Sequence, residues 1–64
     1  MKPLSPAEAA DLARVVSHPA FADISRCAYG WICGFRGSTL PILRRTLRAA
    51  IRAAVRWMEE QGNG

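Results

Sequence analysis

Apolar positions recur along most of this chain at intervals of three and four, and that spacing predicts helices. Ser5-Pro6-Ala7-Glu8 reads as the first helix start. Ser5 is placed to cap free backbone N–H groups, Pro6 suits the first turn, and Glu8 stands three residues on, as in a capping box. At 100° per residue, Ala9, Leu12, Ala13 and Val16 share one face while Asp11, Arg14 and Ser17 take the other. Pro19 ends the segment through His18, so a helix is predicted over 6–17.

Phe21, Ile24, Cys27, Ala28, Trp31, Ile32 and Phe35 also fall at helical spacing, with Pro19 suited to a first turn. This predicts a second helix over 19–35. Gly30 and Gly34 weaken it by about 1 kcal/mol each, and four apart they leave a shallow notch for a neighbouring helix or mark an early end. Gly37-Ser38-Thr39 then reads as a break and a cap, with Pro41 in the next first turn. A third helix is predicted over 40–60, ending in a frayed polar tail, 61–64. No strand-like alternation of any length stands out, so the expected fold is all-α, a single domain of three helices spanning 1–64.

The third segment carries the most information. A wheel puts Leu40, Leu43, Leu47, Ala50, Ile51, Ala54, Trp57 and Met58 on an apolar side, with Val55 at its margin. Beside it, Arg44, Arg45, Arg48, Arg52 and Arg56 fall within an arc of about 120°. No Asp or Glu interrupts positions 40–58, where a merely solvated face would carry acid partners at i, i+4. The remaining arc holds Ile42, Thr46, Ala49 and Ala53, small or apolar where a surface helix carries charge. That side, with Trp57, is expected to pack on the first helix, on a second copy or on a target.

Composition sharpens this picture. Sixty-four residues make one domain, and half of them are hydrophobic, more than so small a core hides. Self-association as a homodimer, or a bound partner, is therefore expected. Nine basic residues, eight of them arginine, against five acidic ones give a net charge of +4. Arginine favours bidentate pairing with carboxylate or phosphate, which points to acidic protein surfaces, nucleic acid or anionic membranes.

Catalytic and metal chemistry find little support. Cys27 and Cys33, six apart, would stand roughly 240° apart on a helix and are read as small buried apolar residues. With His18 as the one histidine, they fit no zinc pattern, and no cofactor is expected. Neither an activated nucleophile nor a spaced acid pair nor a phosphate loop is present, so the chain is read as non-enzymatic. Met1-Lys2-Pro3-Leu4-Ser5-Pro6 lacks the apolar run of a secretory signal, and the longest apolar stretch, 27–35, falls short of the ~20 residues of a membrane span. A cytoplasmic location is expected.

In size, alanine and arginine content and lack of a catalytic motif, the chain resembles the small accessory proteins of bacteriophages and mobile elements. That resemblance implies binding and inhibition of a host protein such as a defence component, as anti-CRISPR proteins do. The first expectation is thus a stoichiometric binder of an acidic host protein surface through Arg44, Arg45, Arg48, Arg52 and Arg56, anchored by whichever of Tyr29, Trp31, Phe35 and Trp57 is exposed. The alternative is a DNA- or RNA-binding regulator whose third helix contacts phosphates, with 36–39 as the turn of a helix-turn-helix. Membrane-surface binding ranks last, because the alanine-rich apolar face is shallow.

Overall fold

The computed structural model describes residues 3–62 and shows an α+β fold rather than three helices. The order is α1 (Pro6–Ser17), β1 (Phe21–Cys27), β2 (Gly30–Phe35), β3 (Ile42–Arg44) and α2 (Leu47–Gly62). The strands form an antiparallel meander, β1-β2-β3. Both helices contact the sheet and each other, and a shortest dimension of 15 Å is that of two layers.

The first helix occupies its predicted range, and its start is built as expected. The Glu8 N–H donates to Ser5 Oγ at 3.2 Å, and the Ser5 N–H donates back to Glu8 Oε1 at 2.9 Å. Its inward face differs from the wheel. Val15 is fully buried and Leu12 half-buried, whereas Ala9, Ala13 and Val16 are exposed. The buried row follows 8, 12, 15 and 18, which is the side that meets α2.

The predicted second helix is a β-hairpin, and local chemistry explains the change. The Phe21 N–H donates to the His18 carbonyl at 2.9 Å, and the Ala20 N–H to His18 Nδ1 at 3.0 Å, so Pro19 serves a turn and not a helix start. Phe21, Ile24, Trp31, Ile32 and Phe35 are aromatic or β-branched residues that favour strands, and two glycines penalise the competing helix. The three-residue spacing of Phe21 and Ile24 arises from a register shift between Phe21 and Asp23. The extra residue, Ala22, lets Phe21 and Ile24 both face inward. In β2 the inward set is Trp31, Cys33 and Phe35, a period of two that the interposed Ile32 disguises as a helical pattern.

Gly30 follows the two-residue turn Ala28-Tyr29 and takes φ +137°. A Cβ there would fall on the Arg44 carbonyl oxygen and come within 2.7 Å of Arg45 Cα. The glycine is therefore required by backbone conformation and by the close passage of the chain leaving β3. Gly34, by contrast, has nothing within 4 Å of such a Cβ. The notch for a neighbouring helix does not exist.

The third predicted helix loses its first two turns. Ile42 pairs with Cys33 and Arg44 with Trp31, making residues 42–44 an edge strand. A turn closed by the Ser38 N–H on the Phe35 carbonyl, with Gly37 at φ +86°, precedes it, so 36–39 does not join two helices and the helix-turn-helix reading falls. Thr46 is the residue that starts α2, its Oγ1 accepting the Ala49 N–H at 3.2 Å and its carbonyl the Ala50 N–H at 3.1 Å. Leu40 and Leu43, placed on the wheel's apolar side, are 76% and 44% exposed. Ala50, Ile51 and Ala54 do form the buried face. Gln61 and Gly62 remain helical rather than frayed, and 63–64 lie outside the described residues.

Opposed residues in the register share a face of the sheet. Ile24, Cys33 and Ile42 form one row toward the helices, with Phe21 and Phe35 beyond them. Val15, Cys33, Phe35 and Ala54 make the core, flanked by Ile42, Val55, Trp57 and Met58. Trp57 stacks on Phe35 at 4.3 Å, and the His18 ring meets both edge-on. The other face, with Ser25, Ile32 and Leu43 in a row, carries no helix among the described residues.

Candidate anion-binding face

The five arginines of the predicted stripe divide into three environments. Arg48, on the first turn of α2, reaches across to α1: Nε lies 2.8 Å from Glu8 Oε2, and Nη2 donates to the Pro3 carbonyl at 2.6 Å. Glu8 thereby joins the helix cap to the second helix. The Ser5 backbone N–H and then the Arg48 guanidinium hold the Glu8 carboxyl below its ordinary value. Arg48 is in this respect a structural residue.

Arg44, Arg52 and Arg56 line a second environment, an open groove between β3 and α2 whose floor is Ala49 and Ala53. Arg52 and Arg56 are exposed and one helical turn apart, about 6 Å along the axis. Arg44 joins them from the strand, its guanidinium also donating to the Leu43 carbonyl at 2.7 Å. No carboxylate lines the groove, and among the described residues none lies within ion-pair distance of these three side chains. The small residues set aside in the sequence for a packing partner are what lets the guanidinium groups stand around a shallow trough.

Arg45 faces the third environment, a cleft of 470 Å³ between the hairpin tip and the start of α2. Arg26 and Arg48 stand in its lining together with Tyr29 and Trp31. Here too no acidic side chain contributes. Arg44 and Arg45 are consecutive, so groove and cleft meet across one peptide unit.

The other candidates fall elsewhere. Ile42 and Trp57, taken as packing positions for an oligomer or partner, pack against the protein's own core. Phe35 is buried, leaving Tyr29, at 80% exposure, as the one aromatic anchor fully open to a partner. Cys33 is buried and points inward while Cys27 lies on the opposite sheet face, and both are free thiols. Burial, with the Asp23 charge adding to it, pushes the Cys33 thiol up. Among the described residues no three His, Cys, Asp or Glu side chains gather in a way that would hold a metal ion, and no helix is long and apolar enough to cross a membrane.

Sequence reasoning missed Arg26 as a site residue, because a helix over 19–35 separated it from the third segment. The register Arg26–Trp31–Arg44 across three strands puts two arginines beside one tryptophan. The signal available was the Cys27-Ala28-Tyr29-Gly30 turn, which folds Arg26 back onto Trp31. Comparison with protein family models, with curated proteins and with solved structures gives no match, so the face is read from its own chemistry.

Proposed function

We propose that this protein is a non-catalytic binding module that holds the sugar–phosphate backbone of nucleic acid in the groove of Arg44, Arg52 and Arg56. The observation that carries the reading is a groove in which three guanidinium groups stand over an alanine floor with no carboxylate in its lining. Phosphate recognition needs fixed donors and positive charge, and little else. A protein hot spot needs a pocket for a large apolar anchor, and Ala49 and Ala53 supply none. The groove lacks Asn and Gln, the side chains that read adenine, so binding is expected to be largely independent of sequence.

A second reading, capture of an acidic host protein as in the phage accessory proteins, is favoured by one observation. Leu40 and Leu43 are exposed beside the uncovered sheet face and offer the apolar contact that the groove lacks. In that case the sheet face supplies the anchor and the arginines the rim. A homodimer through the same face belongs to this reading.

The test is fluorescence anisotropy with labelled single- and double-stranded oligonucleotides between about 50 and 200 mM salt. Affinity should fall steeply with salt, and Arg52→Glu with Arg56→Glu should weaken binding at least about tenfold and reduce the salt slope by about 2 while circular dichroism is unchanged. Failure of the wild-type chain to bind either oligonucleotide at low salt rejects the nucleic-acid reading. Tight, saturable binding of polyglutamate in its place moves the function to an acidic protein partner.

A further inference from the structure

The cleft at the hairpin tip has a composition that the groove does not share. Its lining combines Arg26, Arg45 and Arg48 with two aromatic side chains, Tyr29 and Trp31. Trp57, the other tryptophan, stacks on Phe35 against the core, whereas Trp31, equally half-buried, lies outside that aromatic cluster. Tyr29 sits in the two-residue turn and leaves 80% of its surface in water. Core packing therefore does not explain Tyr29, and Trp31 borders the cleft from outside the aromatic cluster. At 470 Å³ the cleft is of the size that holds a planar small molecule, about 300–1,000 Å³.

We infer that this cleft takes an unpaired nucleobase against Tyr29 and Trp31, with its flanking phosphates on Arg26 and Arg45, so that the protein prefers single-stranded to duplex nucleic acid. The inference rests on the phosphate-binding reading of the neighbouring groove and adds the class of strand. A base inside a duplex is stacked on both faces and cannot enter a cleft beside a hairpin, while an unpaired base offers a free π-face to any aromatic ring. The cross-strand row Arg26–Trp31–Arg44 brackets the indole with positive charge on both neighbouring strands. Arg48 is shared with Glu8 and contributes less. The start of α2, with Thr46 and Leu47 in the lining, adds its positive dipole end to the same space. Because Arg44 borders the groove and Arg45 the cleft, one strand can run along α2 and turn a base in at the hairpin.

The experiment compares the full-length wild-type chain, Tyr29→Ala, Tyr29→Phe and the double variant Arg52→Glu with Arg56→Glu. Each is titrated into an oligothymidylate and a duplex of equal length, with polyglutamate as the competing polyanion. Tyr29 is exposed and makes no packing contact with the core, so its substitutions leave the fold in place. The expected result is tighter binding of the single strand by wild type, about fivefold or greater loss for Tyr29→Ala on the single strand alone, and near-wild-type affinity for Tyr29→Phe. Equal binding of strand and duplex, or single-strand affinity within twofold of wild type in Tyr29→Ala while the double arginine variant still loses binding, overturns the cleft and leaves the groove standing. Wild-type chain that binds neither nucleic acid, or binds polyglutamate in preference, overturns both.

Discussion

Arg48 and Arg52 are one turn apart on the same helix, yet the regions around them differ in kind. Around Arg48 the guanidinium is engaged, held by Glu8 and the Pro3 carbonyl, and just upstream the hairpin passes so near Arg44 and Arg45 that Gly30 admits no side chain. Around Arg52 the molecule is open, with alanines below, two further arginines beside and no acid among the lining residues. Residue type and helical phase are the same in both places. What separates a structural arginine from a candidate binding arginine is whether the neighbouring element presents an acceptor, and α1 presents one only at its first turn.

The largest expected effect breaks the first of these regions. Gly30→Ala puts a side chain at a positive φ and against backbone atoms that cannot turn aside, a loss of roughly 3 kcal/mol. A domain of this size rarely has more than about 3–5 kcal/mol in hand, so the variant should be largely unfolded by circular dichroism. Gly34→Ala, four rows along the same strand pair and facing open space, should change the urea midpoint little. Equal loss in both variants would show that strand glycines matter here through chain flexibility and not through the contact with the β3 exit.

That contrast also marks what was legible in the sequence. The first helix was, because its signals are local: Ser5, Glu8 and Pro19 act within one turn of their own position. The buried residues of α2 were, because Ala50, Ile51 and Ala54 keep true helical phase. The hairpin was not, because a bulge after Phe21 and an apolar residue between Trp31 and Cys33 give a strand pair the spacing of a helix. The edge strand at 42–44 was not, because its pairing partner is ten or so residues away and its three positions continue the arginine and leucine pattern of α2. The arginine cluster was visible, but its division into engaged and open parts depends on Glu8 and Pro3, forty or more positions upstream.

A middling effect sharpens the comparison at the helix caps. Ser5→Ala should cost about 1 kcal/mol, since the Glu8 N–H loses its acceptor at the start of α1. Arg48→Gln should lower the urea midpoint as well, because it unties the start of α2 from α1, while Arg52→Gln should leave the midpoint in place. Binding should show the reverse order, with Arg52→Gln weakening phosphate contact more than Arg48→Gln. An Arg52 variant that unfolds more readily than an Arg48 variant would mean that the groove is a structural seam.

The smallest expected effect is a pH dependence confined to the region around Arg48. Glu8 is held below its ordinary value in the folded chain, first by the Ser5 backbone N–H and second by Arg48. A carboxyl lowered on folding adds stability that is fully present above the unfolded glutamate range, about pH 4.3, and is lost as pH falls through the lower folded value. Urea midpoints for the wild-type chain should therefore decline on acidification below that range, and Glu8→Gln should flatten this part of the profile. Arg48→Gln should flatten it only partly, because the backbone donor remains. Were the arginine variant as flat as the glutamine one, the guanidinium and not the capping box would be the main support of the carboxylate, and the tie between the helices would outweigh the cap within α1.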